Sequence, residues 1–149
     1  MLTIPKKLRP GDTIRVIAPS SSMGIIAQDT RAIAKERLEK LGLKITFGAH
    51  AEEIDETKSS SIASRVADLH KAFIDPEVNG IFAVIGGFNA NELLRYIDWG
   101  IIRKKSEGIY RIFRYDRTPK CDACESRSCH IFRTRLFHIR PKTSFRLHA

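Results

Sequence analysis

The stretch Ile81-Phe82-Ala83-Val84-Ile85 constrains the fold of this chain more than any other. It is an unbroken apolar run, mostly β-branched or aromatic, bounded by Gly80 and Gly86, so a strand built from it has no polar face to offer water. Such a strand must be covered on both sides. Strands of that kind belong to parallel sheets sandwiched between helices, because the crossover from one parallel strand to the next is usually itself a helix.

The residues before that run supply the other parts. Thr13 to Ala18, apolar at Ile14, Val16 and Ile17, follows the turn pair Pro10-Gly11 and reads as a first strand. Pro19-Ser20-Ser21-Ser22 offers loop and capping chemistry, after which Ile26, Ile33, Leu38 and Leu41 recur at helical spacing up to Gly42. Leu43 to Phe47 is a second short strand. A polar stretch leads into a helix with Ile62, Val66, Leu69 and Phe73 on one face, which Asp75-Pro76 ends. Beyond the buried strand, Ala90 to Tyr96 reads as helical with Leu93 and Leu94 inward. The expected class is α/β: a Rossmann-like parallel sheet of three or so strands with flanking helices, truncated. In such sheets ligands bind at the carboxyl ends of the strands. Gly86 and Gly87 stand at that end of the buried strand, where their N–H groups can face a substrate.

Charge and cysteine usage break near residue 105. The net charge is +9, but residues 1–104 hold 15 Lys and Arg against 13 Asp and Glu, while residues 105–149 hold 11 against 4. All three cysteines also fall in the second segment. Residues 117–129 have no usable period, and only 109–113 alternates weakly, so this tail is expected to lack regular structure.

Within residues 4–104, an ordered set of short motifs resembles the LD-carboxypeptidase family of serine peptidases. The set comprises Pro10-Gly11-Asp12-Thr13-Ile14, then Val16-Ile17-Ala18-Pro19-Ser20-Ser21, then Ala67-Asp68-Leu69-His70-Lys71-Ala72-Phe73 with Asp75-Pro76-Glu77-Val78. It ends with Ile85-Gly86-Gly87-Phe88-Asn89-Ala90-Asn91, Leu93-Leu94 and Tyr96-Ile97-Asp98. Asn89-Ala90-Asn91, with Ile85 where the murein-recycling branch tends to carry an arginine, leans toward the microcin-immunity branch. The resemblance implies a hydrolase of amide bonds in murein peptides, as in peptidoglycan recycling, or in peptide-nucleotide conjugates. It also implies a small peptide-type substrate, no cofactor, and an intact form that can be a homodimer. Its serine nucleophile sits in a Gly-Tyr-Ser-Asp turn, and a Glu and a His from a later domain complete the triad. Gly86, Gly87, Phe88, Asn89 and Ser20 match the substrate-binding or oxyanion-hole side of that site.

The Gly-Tyr-Ser-Asp turn is absent from the sequence, so no catalytic residue is assigned. Relatives continue into Asn-Pro-Lys-Val-Phe-Ile-Gly-Tyr-Ser-Asp where this chain reads Lys105-Ser106-Glu107-Gly108-Ile109-Tyr110-Arg111-Ile112-Phe113-Arg114. The genetic code connects the two. Joining the last two bases of each codon to the first base of the next permits the family residue at every one of these positions; Phe113 and Arg114, for instance, give TCA, a serine codon. The reading is therefore an incomplete N-terminal domain over 1–104 and an out-of-frame tail over 105–149, the product of a frameshift, inactive as written.

The remaining signals are weaker. Cys121, Cys124, Cys129 and His130 have soft-ligand character but no second correctly spaced pair, so no metal site is assigned. The arginine-rich tail has no recognition helix or stacking platform, so no specific nucleic-acid partner is expected. The alternative reading is a non-enzymatic basic protein whose Cys-, His- and Arg-rich tail binds metal or nucleic acid. Neither a G-x-S-x-G context around Ser20, Ser21 and Ser22 nor a phosphate-loop spacing around Gly86-Gly87 is present. His50 and His70 read as surface or helix-face residues, and Glu52 to Glu56 as a solvated acidic loop. No apolar stretch is long enough for a membrane span, and none follows the basic residues of the first eleven positions, so the expected compartment is the cytoplasm.

Overall fold

The computed structural model describes residues 8–105 and 110–112. Four strands form one parallel sheet: β1 (Thr13–Ile17), β2 (Lys44–Phe47), β3 (Val78–Ala83) and β4 (Tyr110–Ile112), in the order β2-β1-β3-β4. Three α-helices accompany it: α1 (Gln28–Lys40), α2 (Ile62–Ile74) and α3 (Trp99–Lys105). The expected α/β class is what the chain adopts. β4 lies in the weak alternation of residues 109–113 and adds three residues of regular structure beyond the expected boundary at 104. Most of the proposed tail, with Cys121, Cys124, Cys129 and its arginines from Arg114 onward, lies outside the described residues.

Side chains alternate across the pleat and fill two cores. On one face Ile17, Ile81 and Ala83 pack with Leu69, Ala72 and Phe73 of α2 and Ile102 of α3. On the other, Ile14, Val16, Phe82 and Val84 pack with Met23, Leu43 and Ala51. The central strand β3 is buried at five of its six positions, as its apolar run requires. The close approach of strands also fixes Gly80, where a Cβ would stand 3.2 Å from Ile14 Cγ2.

The first helix departs from its expected packing. α1 has no buried residue; Ile33 is 49% and Leu41 63% exposed, while Leu38 and Ile26 only border the second core. The cause is position. α1 lies beside β2, a four-residue edge strand that offers little surface to cover, and Leu41 falls at the helix end just before Gly42, whose φ of 78° reverses the chain. α2 behaves as expected: Val66, Leu69 and Phe73 are buried, and Ser61 caps it by accepting from the Ser64 N–H at 3.0 Å. Residues after the glycine pair wind as a 3-10 helix, Phe88–Arg95, with Leu93 buried, rather than as the α-helix expected from Ala90 to Tyr96. α3 begins at Trp99 because Asp98 Oδ1 accepts from the Gly100 N–H at 2.8 Å, and His70 Nε2 in turn accepts the Asp98 N–H at 2.9 Å.

Candidate active site

The sheet order places the site. From β1 the chain crosses to β2 on one side and later to β3 on the other, so the crossovers diverge between β1 and β3, and a crevice opens at their carboxyl ends. Ile17 pairs with Ala83, so the two following loops leave the sheet side by side. One carries Pro19, Ser20 and Ser21; the other carries Ile85, Gly86, Gly87 and Phe88.

Ser20 and Gly87 are in direct contact. Gly87 is fully extended, with φ 169° and ψ 170°, so its requirement for glycine is not conformational. It is spatial: a Cβ there would overlap Ser20 Oγ. Ser20 is 1% exposed, and its hydroxyl has no hydrogen-bond partner among the described residues. Its carbonyl accepts the Ser59 hydroxyl. Ser22, not Ser20, does the capping, accepting from the Gly24 N–H at 2.9 Å at the start of a short 3-10 turn.

A loop behind Ser20 holds this arrangement. Asp55 Oδ1 accepts from the Thr57 N–H at 2.8 Å, from the Thr57 hydroxyl at 2.6 Å and from the Ser59 N–H at 3.0 Å. The Thr57 hydroxyl above all, and the backbone N–H groups after it, hold the Asp55 carboxyl below the usual range. This loop carries Lys58 at φ 60°, and the Lys58 carbonyl accepts the Ser22 N–H at 2.9 Å. The acidic stretch expected to be simply solvated is therefore partly structural. Glu52 pairs with Arg31 at 3.1 Å, and Glu53 Oε1 lies 2.5 Å from His50 Nδ1, which lowers the Glu53 pKa.

Arg65 and Glu92 were not singled out by the sequence. The Arg65 side chain is 4% exposed, and its Nη1 donates to the Pro19 carbonyl at 3.3 Å and the Asn89 carbonyl at 3.1 Å. Nη2 donates to Glu92 Oε2 at 2.8 Å. One guanidinium thus joins the β1 loop, the glycine-pair loop and the 3-10 helix. The available signal was an arginine at the spacing of Leu69 and Ala72 on the apolar face of a helix. Asp68, also buried, sits at the end of β2: its Oδ2 accepts the His50 N–H at 2.9 Å and leaves no room for a Cβ on Gly48.

Among the described residues no carbonyl or side chain accepts from the N–H of Gly86 or Gly87. Phe88 is 76% exposed, and Asn89 joins the site through its carbonyl. Among the described residues the crevice offers hydrogen-bond donors without an activated nucleophile. Ser20 is sealed beneath Gly87, and His50 and His70 are engaged with Glu53 and the Asp98 N–H, so no serine–histidine pair exists among the described residues. Among the described residues no group of three metal-ligating side chains forms either.

Comparison with known proteins identifies the source of this geometry. Residues 14–110 match the family model described as the LD-carboxypeptidase N-terminal domain. YocD of Bacillus subtilis strain 168, which carries a carboxypeptidase name, is 49% identical over 98 residues, covering 66% of this chain and 30% of its own length. The murein tetrapeptide carboxypeptidase of Pseudomonas aeruginosa is 30% identical over 93 residues, covering 62% of this chain and 29% of its own. A crystal structure of an MccF-like protein from Bacillus anthracis superposes with a TM-score of 0.67 at 52% identity, over 68% of this chain and 31% of the other. The chain spans about 30% of the length of the curated relatives it matches. A parallel sheet with its crevice between β1 and β3, the ordered motifs and the match over most of its length together show that this chain belongs to the LD-carboxypeptidase family, through that family's N-terminal domain.

Proposed function

We propose that residues 1–104 form one wall of a serine carboxypeptidase site, and that residues 105–149 are read in a displaced register that removes the nucleophile, leaving this chain without hydrolase activity. The observation that carries the reading is the glycine pair at the crevice. Two N–H groups without an acceptor among the described residues, beside an extended Gly87 that admits close approach, suit the oxygen of a tetrahedral intermediate. In the intact form a serine would attack the scissile amide carbonyl, a histidine would take its proton and return it to the leaving amine, and Gly86 and Gly87 would steady the oxyanion. Donors alone do not start that reaction. Ser20 cannot substitute for the missing nucleophile, because it is buried and has no base.

β4 supports the displaced register. Its last residue, Ile112, pairs with Phe82, so the strand ends at the same edge of the sheet as the crevice. The position at which the displaced reading yields serine is 113, the next residue along the chain. The substrate class is a peptide with a terminal amide link. Named relatives act on both kinds, murein peptide carboxypeptidases at 36% and 30% identity and the microcin C7 self-immunity protein at 28%, and only the Asn89-Ala90-Asn91 motif leans toward a peptide-nucleotide conjugate over a murein peptide. No helix among the described residues is long and apolar enough to cross a membrane. Sequencing the gene across the Lys104-Lys105 codons tests the register claim. A displaced frame that continues as the family continues supports it, whereas a frame with no such continuation refutes it.

A further inference from the structure

We infer that Arg65 is the positioning residue of this crevice, setting the separation and orientation of its two loops with Glu92 as the counter-charge. The inference rests on the proposed reading of the glycine pair as the substrate-facing wall. A buried cation is costly unless it is paired and hydrogen-bonded, and Arg65 directs Nη1 to an acceptor on each loop, Pro19 and Asn89, and Nη2 to one carboxylate, Glu92, while Nε has no acceptor among the described residues. The rigid planar fork of guanidinium makes those contacts mutually dependent in a way that a lysine ammonium cannot reproduce. Its base is fixed as well, because Arg65 lies in the first turns of α2, which Ser61 caps and Leu69 and Phe73 anchor in the core.

The carbonyls it holds have a direct consequence for the crevice. In a trans peptide the C=O and the following N–H point in opposite directions. Drawing the Pro19 and Asn89 carbonyls toward Arg65 therefore turns the N–H groups of Ser20 and Ala90 away from it. It also anchors the backbone on the near side of Ser20 and on the far side of Gly87, the two residues in contact. Releasing the guanidinium would free both loops at once while leaving the strand ladder and the apolar core in place.

The test is backbone ¹⁵N relaxation on the full chain and its R65M, R65K and E92Q variants. In the unsubstituted protein the Gly86 and Gly87 amides should show order parameters of about 0.85, falling below about 0.6 in R65M. Gly11 and Gly42, in the turns at the amino ends of β1 and β2, should be unchanged, with their Gly11 N–H to Gly42 carbonyl bond intact. R65K should recover the order only in part. An equal loss of order at Gly11 and Gly42 would mean that Arg65 is an ordinary core residue, and unchanged Gly86 and Gly87 would also overturn the inference. If R65M does not fold, E92Q decides, since Glu92 is half exposed: lost order at Gly86 and Gly87 supports the clamp, and no change refutes it. In the register-corrected protein R65M should lower kcat about a hundredfold with KM nearly constant, and equal changes in both would count against positioning. Absence of any hydrolysis in that protein would instead refute the functional reading, with the relaxation data still deciding the clamp.

Discussion

Replacing Gly87 with alanine should destabilise the fold through a single atomic conflict. The added Cβ would overlap Ser20 Oγ, whereas its next neighbours, Ser20 Cβ at 3.4 Å and Ser21 Oγ at 3.6 Å, are at ordinary contact distance. The extended φ of 169° adds no backbone strain. Alanine also reduces the freedom of the unfolded chain, worth about 0.4–1 kcal/mol in favour of the variant. Overpacking a closed site typically costs about 1–3 kcal/mol, so the net loss should be about 1–2 kcal/mol. With a urea dependence of about 2 kcal/mol per molar, the unfolding midpoint read from Trp99 fluorescence should drop by about 0.5–1 M. Ser20→Ala should be neutral or slightly stabilising, because it deletes a buried hydroxyl that has no partner among the described residues. The double variant G87A/S20A should return to within about 0.5 kcal/mol of the parent, a coupling of about 1–2 kcal/mol. Additive losses in the double variant would refute the steric argument.

Two further outcomes follow from the same structure. Phe73→Ala, at a position 1% exposed between α2 and the sheet, should cost about 3–5 kcal/mol in the same urea titration, and a loss below about 1 kcal/mol would contradict the described core. Asp55 and Glu53 have folded pKa values below their ordinary 3.8 and 4.5, so on acidification the unfolded chain takes up protons first. Their contribution is complete above those ordinary values and is lost as pH falls through the lowered ones, so the urea midpoint should decline in that window and Asp55→Asn should flatten the decline.

What the sequence revealed and what it concealed have separate physical causes. The apolar run announced a strand buried on both faces, and Ile81 to Val84 are buried, but β3 ends at Ala83 and Ile85 is 37% exposed; the Ile62, Val66, Leu69, Phe73 stripe marked the inner face of α2 because an apolar face turns away from water. Helical spacing alone misled over α1, since periodicity states which residues share a face but not whether anything lies opposite that face. Ile33 has the right spacing and an edge strand beside it that is too short to cover it. At the crevice, Ser20 and the Gly86-Gly87 pair were legible from their places after strands. Their contact was not, because it depends on β1 and β3 being neighbours, a long-range pairing. Arg65 escaped notice because its partners are mostly backbone carbonyls, which carry no sequence signature.

The central claim is that one gene encodes both the described domain and, in another register, the missing nucleophile turn. The most direct measurement is amide hydrolysis by the protein expressed with the frame corrected at the Lys104-Lys105 codons, alongside the chain as it stands, on a murein tetrapeptide and on an acyl sulfamoyl nucleotide. The corrected protein should release product from at least one substrate, and the present chain from neither. Hydrolysis by the present chain, or an inert corrected protein that folds, would contradict the claim.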